Sequence, residues 1–151
     1  MEHCPGQFSV RVLSQQWAIP EIDEARILNI PYRQTALLRQ VQLLCGDMVC
    51  VYARSIIPLK TLEGKHRRLR FLGDRPLGAY LFANPSLQRN QQQLACIAKK
   101  DTLFDIATAG SNQDCAQIWG RRSLFTIDEK PLLVSEYFLP ALFEKNEEVS
   151  H

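Results

Sequence analysis

The chain has 151 residues, with 18 Lys and Arg against 16 Asp and Glu, a formal net charge of +2, and 46% hydrophobic residues. This composition predicts one ordinary folded domain and excludes an intrinsically disordered chain or a mini-protein that depends on disulfides or metal. The balanced charge gives little general attraction for nucleic acid, and no apolar run approaches the roughly 20 residues of a membrane-spanning helix.

The first predicted elements are strands. Residues 8–13 alternate apolar and polar side chains, which is the period of a half-buried strand. The weaker pattern from 15 to 33 predicts a long connection or a short helix. Residues 36–45 and 48–57 are two strong strand candidates, and the Gly46-Asp47 pair between them favours a tight hairpin turn. This hairpin is the clearest local feature of the sequence.

The second half of the chain mixes predicted helices and strands. Residues 61–70 predict a basic, exposed segment, and residues 76–82 predict a loop that enters a short helix. The apolar spacing from 86 to 100 fits one face of a second helix with a wide polar side. Residues 124–127 and 132–139 predict two more strands joined by a turn. We therefore expect an α+β domain with an antiparallel sheet flanked by helices.

The domain is expected to cover residues 1–143, followed by a polar tail at 144–151, and residues 101–117 give no interpretable pattern. The N-terminus lacks the basic start and apolar run of a secretory signal, which predicts a cytoplasmic location and free thiols. Two of the five cysteines, Cys45 and Cys50, can face each other across the hairpin, but a buried cysteine usually serves as a small hydrophobe. No C-x-x-C pair is present, so a structural zinc site is not expected.

Three charged residues fall in rows that are otherwise apolar. If Gly46 and Asp47 are the only loop residues, Arg39 lies directly opposite Arg54, on a face whose other cross-strand pairs are apolar. Two guanidinium groups in a hydrophobic layer require an anion close by. Glu136 shares its strand face with apolar neighbours, which makes it the candidate counter-ion.

Two interpretations of this cluster stay open. In the first, the charges of a buried Arg-Glu-Arg cluster only neutralise one another, and the cluster is purely structural. Alternatively, the cluster belongs to a closed pocket in which arginine holds a carboxylate and Glu136 binds a hydroxyl or ether oxygen. Apolar walls predict a ring-sized, partly hydrophobic ligand.

Two further segments carry positive charge. Residues 65–70 are typical of a solvated face, with the steering of an anionic substrate or a nucleic-acid contact as the alternative. Residues 119–123 predict a turn with Trp119 packed in the core, with a second anion contact as the alternative. The chain has no Gly-rich phosphate loop and no recognisable Ser-His-Asp set or Cys-His pair, which disfavours covalent catalysis and nucleotide chemistry.

At these same residues the chain resembles the chorismate lyase family. Leu38-Arg39-Gln40-Val41 is similar to the family's Leu-Arg-Glu-Val strand, and residues 53–58 are similar to its Ala-Arg-Ser-Val-Ile-Pro segment. Three further motifs follow in family order, at residues 76–82, 119–123 and 130–140. Five motifs in order, over roughly residues 8–142, are far more specific than any one alone.

The resemblance implies a cofactor-free, monomeric, cytoplasmic enzyme that converts chorismate to 4-hydroxybenzoate and pyruvate, the first committed step of ubiquinone biosynthesis. It implies that Arg39 holds the ring carboxylate and that Glu136 meets the oxygen at the far end of the ring, which makes these two the catalytic pair. The backbone at Leu77 and Gly78 would help to close the site. Arg54 would meet the second carboxylate of chorismate. No nucleic-acid partner and no stable membrane insertion are expected.

The chain also departs from the family pattern. Family members carry a helical segment before the first strand, whereas this sequence starts almost at that strand, so part of the lid over the pocket is expected to be missing. The alternative function is a non-catalytic domain that binds or senses a small aromatic carboxylate, as in the ligand-sensing domains of GntR-type transcription regulators. The two functions differ in whether chorismate is turned over.

Overall fold

A computed structural model describes residues 8–98, 102–108 and 117–140 of the chain. In that part of the chain the strands are β1 (Phe8–Ala18), β2 (Ala36–Cys45), β3 (Met48–Pro58), β4 (Gln88–Ala98), β5 (Gln117–Ile127) and β6 (Lys130–Phe138). The helices are α1 (Ile22–Leu28), α2 (Leu59–Leu62), a 3₁₀ helix (Gly64–Phe71), α3 (Leu77–Phe82) and α4 (Thr102–Thr108).

The six strands form one sheet in the order β1-β2-β3-β6-β5-β4, with every neighbouring pair antiparallel. β1 and β4 are therefore the edge strands, and β3 and β6 lie side by side at the centre. The α+β class and the antiparallel sheet predicted from the sequence are confirmed. The predicted hairpin at Gly46-Asp47, the short helix after Pro20 and the short helix at Leu77–Phe82 are also confirmed.

Helices cover both faces of the sheet. On one face, α2, the 3₁₀ helix and α3 pack on residues such as Leu37, Ile57 and Leu132, and this face carries the pocket described below. On the other face, α1 packs Ala25 and Leu28 against the central strands. We call these the pocket face and the α1 face. Because successive strand residues point to opposite faces, each strand supplies side chains to both.

The β2–β3 hairpin contains a bulge that the sequence pattern does not predict. Leu44 pairs with Val49 but Leu43 pairs with Val51, so Cys50 is an extra residue in β3. The predicted opposition of Arg39 and Arg54 is therefore wrong. Arg39 pairs with Ser55, because one extra residue shifts the register by one position and turns the following side chains of β3 to the opposite face.

Two other predicted elements differ from the structure. The helix predicted from residue 86 is wrong, because Gln88–Ala98 forms β4 at the sheet edge. Its polar run of glutamines is tolerated there because residues 88–96 are all exposed to water. Residues 61–70 are not simply an exposed basic segment, because Thr61, His66 and Leu69 are buried while the basic side chains around them face solvent.

The cysteine prediction holds only in part. Cys50 and Cys96 are thiols outside any disulfide, as expected. Cys45 is bonded in a disulfide, which corrects the expectation at that position. That expectation rested on the predicted compartment, and a compartment does not determine which sulfur atoms the fold brings within bonding distance. The predicted domain boundary between residues 143 and 144 lies outside the described residues.

Candidate active site

A cavity of about 400 Å³ lies between the pocket face of the sheet and α3. Its floor is built from alternate residues of β2, β3 and β6, which belong to one face because they are two positions apart along each strand. Val41, Ala53 and Val134 make this floor largely apolar. Four of the five site residues predicted from the sequence line the cavity, namely Arg39, Leu77, Gly78 and Glu136.

Arg39 is the most deeply buried charge of the pocket, with 2% of its surface exposed. Its Nη1 donates to Oε1 of Gln15 at 3.1 Å, and its Nη2 donates to the backbone oxygen of Arg75 at 3.0 Å. Both acceptors are neutral, and no carboxylate of the described residues forms an ion pair with it. Burial lowers the pKa of the Arg39 guanidinium, although an arginine side chain stays charged in proteins. Within the described part of the chain, this cation therefore has hydrogen bonds but no counter-charge.

Glu136 is paired with Arg121, which lies directly opposite on β5. Both Nε and Nη2 of Arg121 donate to the same carboxylate oxygen, Oε1, at 3.1 and 2.9 Å. Among the described residues no hydrogen bond reaches Oε2 of Glu136. The ion pair thus fixes the carboxylate while one oxygen is left to accept a hydrogen bond from a ligand.

Arg39 and Glu136 are separated by a single strand. Ala53 on β3 pairs with Val41 on one side and with Glu136 on the other, and Arg39 lies two residues from Val41. Two strand spacings and a two-residue offset place the Cα atoms of Arg39 and Glu136 about 12 Å apart. Two long side chains that reach inwards from this separation leave room for one ring between their polar groups.

Arg54 lies on the α1 face and does not line the pocket. Its Nε and Nη2 donate to the two carboxylate oxygens of Glu24 in α1, both at 2.9 Å. Glu24 is only 2% exposed. The structure therefore separates Arg54 from the other predicted site residues, and the bulge at Cys50 is the reason.

Two pocket arginines are not among the predicted site residues, although a second anion contact was the alternative for the motif that contains Arg121. Arg121 belongs to the 119–123 motif, which was predicted to be a turn with Trp119 in the core. That prediction is wrong, because the motif lies within β5 and Trp119 is 52% exposed. Arg89 lines the pocket from β4, with its guanidinium 5.2 Å from the ring centre of Phe125. Because the sequence predicts a helix here instead of a strand, Arg89 was not predicted to be a pocket residue.

Arg121 and Arg122 serve opposite faces of the sheet. While Arg121 holds Glu136 in the pocket, Arg122 donates to Asp23 of α1 at 2.8 Å, and this hydrogen bond lowers the pKa of Asp23. The preceding Gly120 lies against the ring of Tyr137, where an added Cβ would be 2.7 Å from a ring carbon. Glycine is thus required at this position for the close contact.

In the described part of the chain, no group of three or more His, Cys, Asp or Glu residues is arranged to hold a metal ion. The same residues include no helix that is long and apolar enough to span a membrane.

A family model described as chorismate lyase matches residues 1–148. The chain belongs to the chorismate lyase family. A relative from Methylococcus capsulatus, described as "Probable chorismate pyruvate-lyase", is 41% identical over 139 residues, which are 92% of this chain and 85% of the relative. A relative from Aromatoleum aromaticum with the same description is 40% identical over 139 residues, covering 91% of this chain and 75% of that protein. The family predicted from the motifs is confirmed.

Solved structures share the fold at low sequence identity. The C-terminal domain of PhnF matches with a TM-score of 0.70 at 11% identity, covering 89% of this chain and 84% of that domain. A GntR-family transcriptional regulator from Enterococcus faecalis matches with a TM-score of 0.63 at 12% identity, covering 89% of this chain and 91% of that protein. At such identities the likeness concerns the fold alone.

Proposed function

We propose that this chain is a lyase that converts chorismate into 4-hydroxybenzoate and pyruvate. The observation that carries the proposal is Arg39, a buried guanidinium whose partners in the described structure are all neutral, in a ring-sized pocket that also holds Glu136. A buried cation without a counter-ion is costly, so an anionic ligand is the partner that would offset its desolvation. The family and the descriptions of its relatives as chorismate pyruvate-lyases support chorismate as that anion.

In this proposal Arg39 binds the carboxylate on the ring of chorismate. A charge-assisted hydrogen bond in an apolar, water-poor pocket is stronger than the same bond in water. Gln15 and the backbone oxygen of Arg75 hold the guanidinium in place before the ligand arrives. The ligand therefore meets a cation that is already oriented, and less conformational entropy is lost on binding.

Glu136 orients the other end of the ring. Its free Oε2 accepts a hydrogen bond from the ring hydroxyl, while Arg121 keeps the carboxylate fixed through Oε1. The second carboxylate of chorismate, on the enolpyruvyl group, needs a cation other than Arg54. Arg89 and Arg121 both line the pocket and supply positive charge there.

The reaction breaks the ether bond between the ring and the enolpyruvyl oxygen and removes the hydrogen from the carbon that bears the hydroxyl. The ring becomes aromatic as 4-hydroxybenzoate, and the released enolpyruvate takes up the proton to become pyruvate. Because aromatisation supplies the driving force, the pocket mainly has to hold the reactive conformer and stabilise the negative charge that develops on the leaving oxygen. Arg121 is a suitable group for that charge.

Chromatographic measurement of 4-hydroxybenzoate and pyruvate after incubation with chorismate tests the proposal, with a protein-free control for the spontaneous reaction. Equimolar products above that control are expected. Arg121→Gln is expected to lower kcat/KM at least tenfold, because it removes a charge from the pocket and releases Glu136. Arg122→Gln is the matched control on the α1 face and should keep normal turnover.

Two outcomes would contradict the proposed lyase. If the chain yields no products above the control, chorismate cleavage is not its function. Tight binding of 4-hydroxybenzoate without turnover would instead support a domain that senses aromatic carboxylates. A cytoplasmic location, a monomeric state and the lack of a nucleic-acid partner stay predictions. Light scattering on the purified chain checks the monomer.

A further inference from the structure

A buried histidine links the wall of the pocket to the turn between β5 and β6. His66, in the 3₁₀ helix, is 2% exposed, and both of its ring nitrogens are engaged. Nδ1 lies 2.8 Å from the hydroxyl of Tyr80 in α3, and Nε2 lies 2.6 Å from Oδ2 of Asp128. The function proposed above makes no use of these three residues.

The partners of His66 are placed to hold α3 from its C-terminal half. Tyr80 lies between Ala79 and Leu81, which both line the pocket, while Tyr80 itself does not. Asp128 also fixes the chain that follows α3, because its backbone N–H donates to the hydroxyl of Ser86 at 2.9 Å. One turn of the sheet thus holds α3 through His66 and the following loop through Ser86.

The other end of α3 is joined to the candidate ligand-binding cation. Arg75 comes just before the helix, and its backbone oxygen accepts a hydrogen bond from Nη2 of Arg39 at 3.0 Å. The pocket wall is therefore held at both ends, at one by Arg39 and at the other by His66. A shift of α3 would move the wall and the groups that orient Arg39 together.

We infer that His66 is a positioning residue for the pocket, which holds α3 in its ligand-binding position through Tyr80 and Asp128. The inference rests on the proposed binding of an aromatic carboxylate in this pocket. When the link is broken, a smaller fraction of molecules has α3 in the binding position. The observed affinity falls in proportion to that fraction. His66 touches no reacting atom, so its effect is on ligand retention.

The link holds in either protonation state of the imidazole. A neutral ring donates from Nε2 to Asp128 and accepts the Tyr80 hydroxyl proton at Nδ1, whereas a protonated ring donates from both nitrogens. The hydrogen bond from His66 lowers the pKa of Asp128. Lys65, 3.6 Å from Oδ1 of Asp128, and Arg68, whose charge acts on Tyr80, are the other charged groups at this link.

Tyr80→Phe tests the inference with the smallest change, because it removes one hydroxyl and keeps the ring. We expect the dissociation constant for 4-hydroxybenzoate to rise roughly three- to tenfold, the range that the loss of one hydrogen bond gives. The rise should come mainly from faster dissociation in stopped-flow measurements. With chorismate, KM should rise while kcat stays at or above the wild-type value.

Tyr52→Phe is the matched control, since it removes a buried tyrosine hydroxyl, bonded to Gln40, outside the pocket lining. Thermal unfolding of both variants checks that they are folded. His66→Gln, which keeps an amide donor for Asp128, should recover part of the affinity lost in His66→Ala.

The inference is overturned if Tyr80→Phe binds 4-hydroxybenzoate as tightly as the wild type, or if Tyr52→Phe weakens binding equally. These results leave the proposed function intact, because the wild type still binds and turns over its ligand. A wild-type chain that neither binds 4-hydroxybenzoate nor cleaves chorismate overturns the proposed function and, with it, this inference.

Discussion

Two arginines on neighbouring strands, Arg54 partly buried and Arg39 buried, have opposite surroundings. Arg54, on the α1 face, has a carboxylate of its own chain, with both oxygens of Glu24 at 2.9 Å. Among the residues that the structure describes, Arg39 on the pocket face has only the neutral oxygens of Gln15 and the Arg75 backbone as partners. The first arginine is electrically satisfied by the fold, and the second is not.

The difference separates a structural charge from one that is kept for a ligand. An ion pair inside a protein roughly offsets its own desolvation, whereas a buried charge without a counter-charge costs free energy that only an added anion recovers. The number of hydrogen bonds alone does not distinguish the two arginines. The presence or absence of an opposite charge does.

Arg39→Gln is expected to have the largest effect. Loss of this deeply buried cation should lower kcat/KM by at least about 30-fold, since truncating one partner of a buried charge pair costs about 2–5 kcal/mol. The free energy of unfolding should stay constant or rise, because the unpaired charge disappears. Turnover assays and urea unfolding measure the two effects. A large loss of stability would contradict the view that Arg39 is unsatisfied in the free protein.

Glu24→Gln should give the opposite result on the α1 face. Without the carboxylate, Arg54 loses its counter-charge, and the free energy of unfolding should fall by about 3 kcal/mol. The affinity for 4-hydroxybenzoate should not change. Asp23→Asn is the control on the same helix, because Asp23 is 58% exposed and its pair with Arg122 should contribute less than about 1 kcal/mol. If Glu24→Gln weakens ligand binding more than it weakens folding, the two faces are not independent.

Raising the pH into the alkaline range tests the α1 face through a smaller expected change in stability. Burial raises the pKa of Tyr52 to about 12, above its ordinary value of 10. The unfolded chain therefore loses this proton first, and the contribution of Tyr52 to stability is complete below pH 10 and is lost as the pH rises towards 12. The loss is on the order of 2 kcal/mol. Unfolding of Tyr52→Phe should decline less over this range, and an identical decline would exclude Tyr52 as its source.

Much of the fold and most of the site could be predicted from the sequence. Alternation along β2 and β6 was sufficient to single out Arg39 and Glu136 as charges in apolar rows, and both line the pocket. The position of Arg54 could not be predicted, because a bulge of one residue at Cys50 has no sequence signal within the apolar run of residues 48–51. The same bulge decides which arginine has a carboxylate partner.

The missed residues have two physical causes. Arg89 was missed because a glutamine-rich edge strand lacks the apolar alternation by which a strand is recognised, and chance spacing then favoured a helix. The link from His66 to Tyr80 and Asp128 was missed because it joins three distant segments, and local patterns do not report which loops meet across a pocket.

The two adjacent arginines of β5 leave the charges of the two faces ambiguous. A slip of β5 by one residue would place Arg122 opposite Glu136 and Arg121 opposite Tyr137, so Glu136 would still face an arginine and its ion pair alone would not oppose the error. Gly120 removes this ambiguity, because the ring of Tyr137 lies where any larger residue would place its side chain. The alignment that puts Arg121 in the pocket is therefore encoded by the one residue of the motif that carries no side chain.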